Sequence, residues 1–341
     1  MKYWYLVAFA TLFWACSESN MAGGTSEEAE GIVAIKDREV AGVTQKGPFL
    51  VGSSVTIQEL DGKTLIQTGR SFKTSVKTNL GDFAVKNVNL ASQYALLEVN
   101  GYFRNEVTGK NSEGMISLNA LTDLTNRNNV NVNVLTHLET DRVLNLVQKQ
   151  GMSFADAKKQ AESEIFSSFG FTKDWQSPED MNILSGENSD VLFALSVLML
   201  GNDSVADFSE RLALAARSFA ENGEWHGPEK GEVADWAYQL ESEEYKKDVE
   251  HTILSKIWDN VESWNLRDGS PLFFAPYIDG LLYVFWINEY NLGLCDKNHS
   301  GEMRKNTNPY SKYYDKEFVC YYNNESRCTD DGIGCRWLLA E

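Results

Sequence analysis

Hydrophobic and polar positions follow three successive rhythms along the chain. Between about Ile32 and Leu118 the apolar period is two, the mark of half-buried strands. Val55-Thr56-Ile57 alternates and is followed by a turn at Asp61-Gly62. Phe72, Thr74 and Val76 share one face, and Phe83 and Val85 share another after a turn at Asn79-Leu80-Gly81. Tyr94 to Val99 is a more continuous apolar strand ending at Asn100-Gly101, and Met115 to Leu118 closes the series. Short strands punctuated by Gly and Asn predict an antiparallel sandwich.

After Leu118 the period becomes that of a helix, about 3.6 residues. Asn133 to Gln148 predicts the first helix, with Gly151 just beyond it. Ser153 with Asp156 approximates a capping box, ahead of a stripe of Phe154, Ala157, Ala161, Ile165 and Phe169 closed by Gly170. Val191 to Leu200 is apolar nearly all round and predicts the most buried helix. Ser204 with Asp207 repeats the cap before Val205, Phe208, Leu212, Ala216 and Phe219. Val233, Trp236, Ala237 and Leu240 give a short helix; Tyr245, Val249, Ile253, Ile257, Val261 and Trp264 give a long one. Short connections imply antiparallel neighbours in one bundle.

From Leu272 the pattern is dense in aromatics: Phe273, Phe274, Tyr277, Tyr283, Phe285, Trp286 and Tyr290, then Tyr313, Tyr314, Phe318 and Trp337. Four cysteines, Cys295, Cys320, Cys328 and Cys335, sit among and after them. A small β-rich module with too little core to stand alone is expected, stapled by two disulfides. Three connectivities are possible; the expected one joins Cys295 to Cys320 and Cys328 to Cys335. A zinc knuckle does not fit, because Cys328 and Cys335 are too far apart for it. The fold class expected is therefore multidomain α+β: an antiparallel β-sandwich (32–122), an antiparallel α-helical bundle (123–270) and an aromatic-rich, disulfide-stapled β module (271–341).

The N-terminus adds a compartment. Met1-Lys2 precedes an apolar run from Tyr3 to Trp14, broken only by Thr11. Twelve helical residues rise roughly 18 Å, too little for a bilayer core about 30 Å thick. Small Ala15 and then polar Ser17-Glu18-Ser19-Asn20 complete the pattern of a signal peptide, residues 1–15. With Cys16 next, Leu12-Phe13-Trp14-Ala15-Cys16 resembles a bacterial lipoprotein lipobox. The resemblance implies cleavage before Cys16, a diacylglyceryl group on its sulfur and an acyl chain on its amine. Leu12 stands one place early for that family, and Phe13 and Trp14 are bulkier than usual. Simple secretion with an incidental cysteine, or an uncleaved anchor, are the other readings. Residues 16–31, rich in Ser, Glu, Gly and Ala, are expected to be a flexible tether. The implied setting is export to a bacterial cell envelope, as an outer-membrane lipoprotein held to the membrane by its N-terminal lipid.

Two further resemblances concern the first domain. Gly52-Ser53-Ser54-Val55, Thr78-Asn79-Leu80-Gly81-Asp82-Phe83-Ala84-Val85 and Tyr94-Ala95-Leu96-Leu97-Glu98-Val99-Asn100-Gly101-Tyr102 resemble the carboxypeptidase-regulatory-like domain. That resemblance implies a transthyretin-like sandwich acting as an accessory module. Gln45-Lys46-Gly47-Pro48-Phe49, Asn105-Glu106-Val107-Thr108-Gly109 and Val132-Asn133-Val134-Leu135-Thr136-His137-Leu138 resemble a group of bacterial surface lipoproteins of unassigned role.

Charge and motifs narrow the chemistry. The 341 residues carry a net charge of −18, which argues against nucleic acid as a partner and against charge-driven docking on anionic lipid. The four histidines, His137, His226, His251 and His299, fall in no metal-ligand spacing, and no GxSxG elbow is present. Gly101 to Gly109-Lys110 has the wrong spacing for a phosphate loop. Asp296-Lys297-Asn298-His299-Ser300-Gly301 begins like a calcium loop, but Thr307 stands where a bidentate Glu is needed. With 49 acids, no carboxylate pair can be singled out. No catalytic residue, metal or cofactor is therefore expected. Trp286, Tyr313, Tyr314 and Trp337 are the candidate ligand-binding aromatics, since flat amphipathic rings suit sugars; the other reading makes them core. The expected function is a non-enzymatic, lipid-anchored envelope protein displaying a binding or assembly surface, with polysaccharide or an envelope protein as partner. The alternatives are a carbohydrate-binding lipoprotein using the C-terminal aromatics and an envelope hydrolase built from scattered acids.

Overall fold

The strand-period region folds as two facing sheets in the computed structural model, which describes residues 31–171, 175–244, 252–266, 275–321 and 335–340. Cys16, the signal-like segment, the tether up to residue 30, His251 and Cys328 lie outside the described residues. The strands are β1 (Ile35–Gln45), β2 (Ser54–Leu60), β3 (Gln67–Ser75), β4 (Asp82–Leu90), β5 (Tyr94–Gly101), β6 (Ile116–Asp123) and the two-residue β7 (Val132–Asn133). One sheet has the order β3-β2-β5-β6 and the other β4-β1-β7. Pairing is antiparallel except between β1 and β7, where Thr44 opposes Val132 in parallel. In register, Val55 meets Val99 and Ile57 meets Leu97. These four join Val40, Phe83, Val85 and Val88 in one core, so the period-two positions are buried as expected. Gly42 lets the chain after β6 lie close against β1: a Cβ there would stand 2.0 Å from the Val130 carbonyl oxygen.

Asn133 starts the helical half. Its side-chain oxygen accepts from the backbone N–H groups of Leu135 and Thr136, and the Thr136 hydroxyl accepts from the Asn133 N–H. This capping box satisfies N–H groups that a helix start otherwise leaves unpaired. It opens α1 (Val134–Gln150), which ends in left-handed Gly151 at φ 70°. Ser153 caps α2 (Phe154–Ser168). A single 3-10 turn follows at Pro178–Asp180. In α3 (Ser189–Leu200), every residue from Val191 to Leu200 is buried. A Ser204–Asp207 capping box starts α4 (Val205–Asn222). The bundle continues with α5 (Pro228–Glu244), α6 (Ile253–Ser263) and α7 (Ala275–Glu289). Among the described residues, no single helix is long and apolar enough to cross a membrane.

Two elements differ from expectation. The long helix predicted from Tyr245 to Trp264 is described only as α6, which Thr252 caps; Tyr245 and Val249 lie outside the described residues. The aromatic stretch placed in the β-rich module is α7. Leu282, Tyr283, Phe285, Trp286 and Ile287 are all buried. A segment apolar on every side carries no period to distinguish helix from strand.

The tail keeps a small sheet of order β10-β9-β8, formed by β8 (Met303–Lys305), β9 (Glu317–Tyr321) and β10 (Arg336–Leu339). The expected Cys295–Cys320 disulfide is present. Cys335 is also disulfide-bonded; its expected partner Cys328 is outside the described residues. A continuous hydrophobic core runs from Val40 in the sandwich through the bundle to Trp337 in the tail. Within it, Lys46 and Glu106 form a fully buried ion pair at 2.8 Å. The Ser196 hydroxyl of α3 donates to the Lys46 carbonyl and lies 3.2 Å from the Glu106 carboxylate, so the pair ties the sandwich to the bundle.

Candidate functional site

Two places bring chemistry-bearing side chains together: an aromatic-bearing turn in the tail and a charged cleft beside the sandwich. In the tail, α7 sets Trp286 and Tyr290 one turn apart, against Tyr238 of α5. Ring centroids lie 5.0 Å apart for Tyr238–Trp286, 5.3 Å for Trp286–Tyr290 and 5.0 Å for Tyr238–Tyr313. Trp286 and Trp337 are fully enclosed. The Trp337 indole N–H donates to the Gly293 carbonyl at 2.8 Å, and the Arg304 guanidinium covers its ring. Neither tryptophan offers a face to a ligand, which corrects their selection as binding aromatics. Large rings close the seam between bundle and tail, where burial stabilises most. Tyr313 is half-buried in the same cluster.

Of the four selected aromatics, Tyr314 is the one that stands out from the surface, at 55% exposure. Tyr310 and Tyr321 stand out equally, at 54% and 52%, and were not picked out from sequence. Tyr310 and Tyr314 flank Ser311, and a buried acid fixes that turn. The Asp235 carboxylate of α5 accepts from the Ser311 hydroxyl at 2.6 Å, the Lys312 N–H at 2.8 Å and the Tyr290 hydroxyl at 2.7 Å. Burial, with Asp235 alongside, pushes the Tyr290 phenol far up. Asn306 donates to the Ser311 hydroxyl at 2.8 Å. The two exposed rings therefore ride on a turn held from below.

The cleft has a volume of about 380 Å³ and lies where the end of β6, the start of α2 and the 3-10 turn converge. Lys158 of α2 is its hub. The ammonium donates to the Leu121 carbonyl at 2.8 Å and to Glu139 of α1, and lies 3.4 Å from Glu179. Glu139 is fully buried. Burial, with Glu162 and Glu179 nearby, outweighs the attraction of Lys158 and pushes its carboxyl up to about 8. Burial also raises Glu162, whose carboxylate accepts from Ser177 at 2.6 Å. Lys158 is pulled the other way. Burial opposes its charge, but Glu139 and Glu179 prevail and hold it above the ordinary lysine value. Arg127 pairs with Asp180 and lies 3.8 Å from Glu179. One oxygen each of Glu139 and Glu179 is buried with no hydrogen-bond partner among the described residues.

A second cleft of about 320 Å³ has Trp225 and Phe285 in its wall, with Ser163, Ser167, Ser168 and Asn288. Lys230 and Glu289, also in that wall, pair at 2.7 Å. The three described histidines remain apart. Burial holds His137 at about 4. His226 pairs with Glu224 on the surface. His299 closes on Asp296 at 2.7 Å. No set of three or more His, Cys, Asp or Glu side chains converges as a metal site among the described residues.

No known protein family, curated protein or solved structure matches this chain. Sequence reasoning missed Glu139, Lys158, Glu162 and Glu179. A signal did exist for two of them. Lys158 and Glu162 are four apart on α2, and Lys158 is adjacent to Ala157 in its apolar stripe.

Proposed function

We propose that this chain is a non-enzymatic binding protein that lays a carbohydrate chain against Tyr310 and Tyr314. The observation carrying this is the turn itself: two half-exposed phenol rings on a backbone that Asp235 anchors to the bundle. Rigid amphipathic rings lose little entropy when a sugar face stacks on them. Lys312 and Asp315, beside the rings, supply a donor and an acceptor for hydroxyl groups. The acids of the charged cleft give weaker support to hydrolysis, because Glu139 is enclosed and already bound by Lys158.

In this proposal the chain is exported and anchored in a bacterial envelope through lipid on Cys16. Its N-terminal sandwich is an accessory domain of the carboxypeptidase-regulatory-like kind. The support is the N-terminal sequence and the two facing sheets. Loss of labelled palmitate in Cys16→Ala tests the anchor; retained label rejects it.

The binding test is a pull-down of Ser17–Glu341 against soluble and insoluble polysaccharides, with Tyr310→Ala and Tyr314→Ala in parallel. Removing one stacking ring removes about 1 kcal/mol, about fivefold in affinity. Saturable binding to one glycan class that falls in both folded variants supports the proposal. No binding across the panel, or binding untouched in the double variant, refutes it. Trp286→Ala and Trp337→Ala are unsuitable probes, since both empty the core.

A further inference from the structure

We infer, resting on the glycan reading of the tyrosine turn, that the site continues from that turn onto the outer face of the tail sheet and takes an uncharged glycan lying flat as an extended ribbon several sugars long. The inner side of β9 is filled, since Phe318 and Cys320 are buried. Alternation then puts Glu317, Val319 and Tyr321 on the opposite side, where Tyr321 is 52% exposed. Across the sheet, Met303 opposes Val319 and Lys305 opposes Glu317. Met303 is exposed as well. Lys305 joins this face to the turn. Its ammonium pairs with Asp315 at 2.9 Å. Asp315, with Glu317 and the Tyr314 phenol nearby, holds it above the ordinary lysine value. The exposed strip therefore runs from Tyr314 past Lys305, Met303 and Val319 to Tyr321.

The strip takes its shape from the strand beneath it. Tyr321 ends β9, about 13 Å along the strand from Glu317, and Tyr314 lies beyond Glu317 at the other end. One sugar cannot touch both rings. Rings at the two ends of a level surface suit a chain that stays straight between them; a coiling chain leaves the surface after the first ring. Met303 and Val319 make the middle apolar, a dry seat for the flat face of a sugar. Charge along the strip is mixed, with Lys305, Lys312 and Lys316 standing among Asp315 and Glu317. A polymer of one charge would meet its own sign as well as the opposite one. An uncharged ribbon meets only hydrogen-bonding groups and apolar faces.

The test is titration calorimetry on Ser17–Glu341 with two ribbon glycans, cellohexaose and N-acetylated chitohexaose, each against its own disaccharide and against maltohexaose, which coils. At least one ribbon hexamer should bind about fivefold or more tighter than its disaccharide, the share of one further stacked ring, and tighter than maltohexaose. Tyr321→Ala should remove that gain, while the disaccharide, seated on Tyr310 and Tyr314, keeps its affinity. Tyr314→Ala should weaken hexamer and disaccharide alike. If Tyr321→Ala disturbs β9, Met303→Glu carries the same expectation. Glycan binding through Tyr310 and Tyr314 that ignores chain length, prefers maltohexaose or survives intact in the folded variant overturns the inference and leaves the reading of the turn standing. Failure of both ribbons, when the pull-down retains another glycan through those tyrosines, overturns it likewise. Absence of any glycan binding, in calorimetry and pull-down together, removes both.

Discussion

Glu139→Gln should remove a pH dependence of stability that the native chain carries near neutrality. The native carboxyl is pushed up to about 8 from an ordinary value of 4.5. Between those values the folded chain holds a proton that the unfolded chain has released. Its contribution to stability is therefore full below pH 4.5 and is lost as pH rises through 8. His137 acts in the opposite sense, because burial holds it at about 4 against an ordinary 6.5. Its contribution is full above 6.5 and is lost as pH falls through 4. Above pH 6.5 the two no longer oppose each other; burial also raises Glu106, Glu162 and Asp141, so the Glu139 share is the difference between the native chain and Glu139→Gln. At about 1.4 kcal/mol per pH unit, the interval from 6.5 to 8 removes about 2 kcal/mol. Urea unfolding followed by tryptophan fluorescence, at about pH 6.5 and about pH 8.5, reads this directly. Urea is preferred to guanidinium, whose charge screens the buried ion pairs. The native chain should lose at least about 2 kcal/mol across the interval. Glu139→Gln, which is permanently neutral and keeps an acceptor for Lys158, should lose about 2 kcal/mol less than the native chain. A native chain whose stability is flat or rising there, or a variant with the same fall, would refute the reasoning.

Three other expectations follow from buried contacts. Lys46→Met strands the Glu106 carboxylate in a fully buried site, so it should lose about 3–5 kcal/mol in urea unfolding, while the double variant with Glu106→Leu recovers much of that loss. Removing the Cys295–Cys320 bridge, which spans 25 residues, should loosen the tail by about 3 kcal/mol; faster amide exchange confined to β8 and β9 would show it, and unchanged exchange would count against it. Asp235→Asn weakens the hold on the Ser311 hydroxyl and the Lys312 N–H. It should speed exchange at Lys312 and reduce glycan binding with both tyrosines intact; full glycan binding would contradict the idea that the turn must be held.

The sandwich and the helix starts were legible because each has a local signature. Alternation put Val55, Ile57, Phe83 and Val85 inside, and they are inside. Ser204 with Asp207 marked the start of α4 within one residue. The Cys295–Cys320 pair also formed as expected. What failed were judgements that depend on contacts distant in sequence. Residues 275–289 carry no period, so only their packing against α5 and α3 makes them a helix. Trp286 and Tyr314 look alike in sequence as exposed-or-core aromatics. One is sealed by Tyr238, Tyr290 and Phe318, and the other lies outward on a turn. Glu139, Lys158 and Glu179 are spread over 40 residues among 49 acids, and only the seam between sheet and bundle gathers them.

The same device recurs wherever one part of this chain is fixed on another. A buried carboxylate reaches across and takes donors from the far side, giving a direction that apolar packing alone does not specify. Glu106 does so at the seam of the sandwich and α3: Lys46 donates to both its oxygens, and the Ser196 hydroxyl of α3 donates to the Lys46 carbonyl. Asp235 does so between α5 and the tail turn, with Tyr290, Ser311 and Lys312 as donors. Both are saturated, and a saturated buried acid has no capacity left for a ligand. Their work is positional: Asp235 aims Tyr310 and Tyr314 without touching what they bind. Glu139 and Glu179 hold the third junction, yet each keeps one oxygen unpaired among the described residues. Position alone needs no such vacancy, because the satisfied junctions achieve it without one. Glu139 is enclosed and held by Lys158, so of the two only Glu179 reaches a cleft wall with an oxygen left over among the described residues.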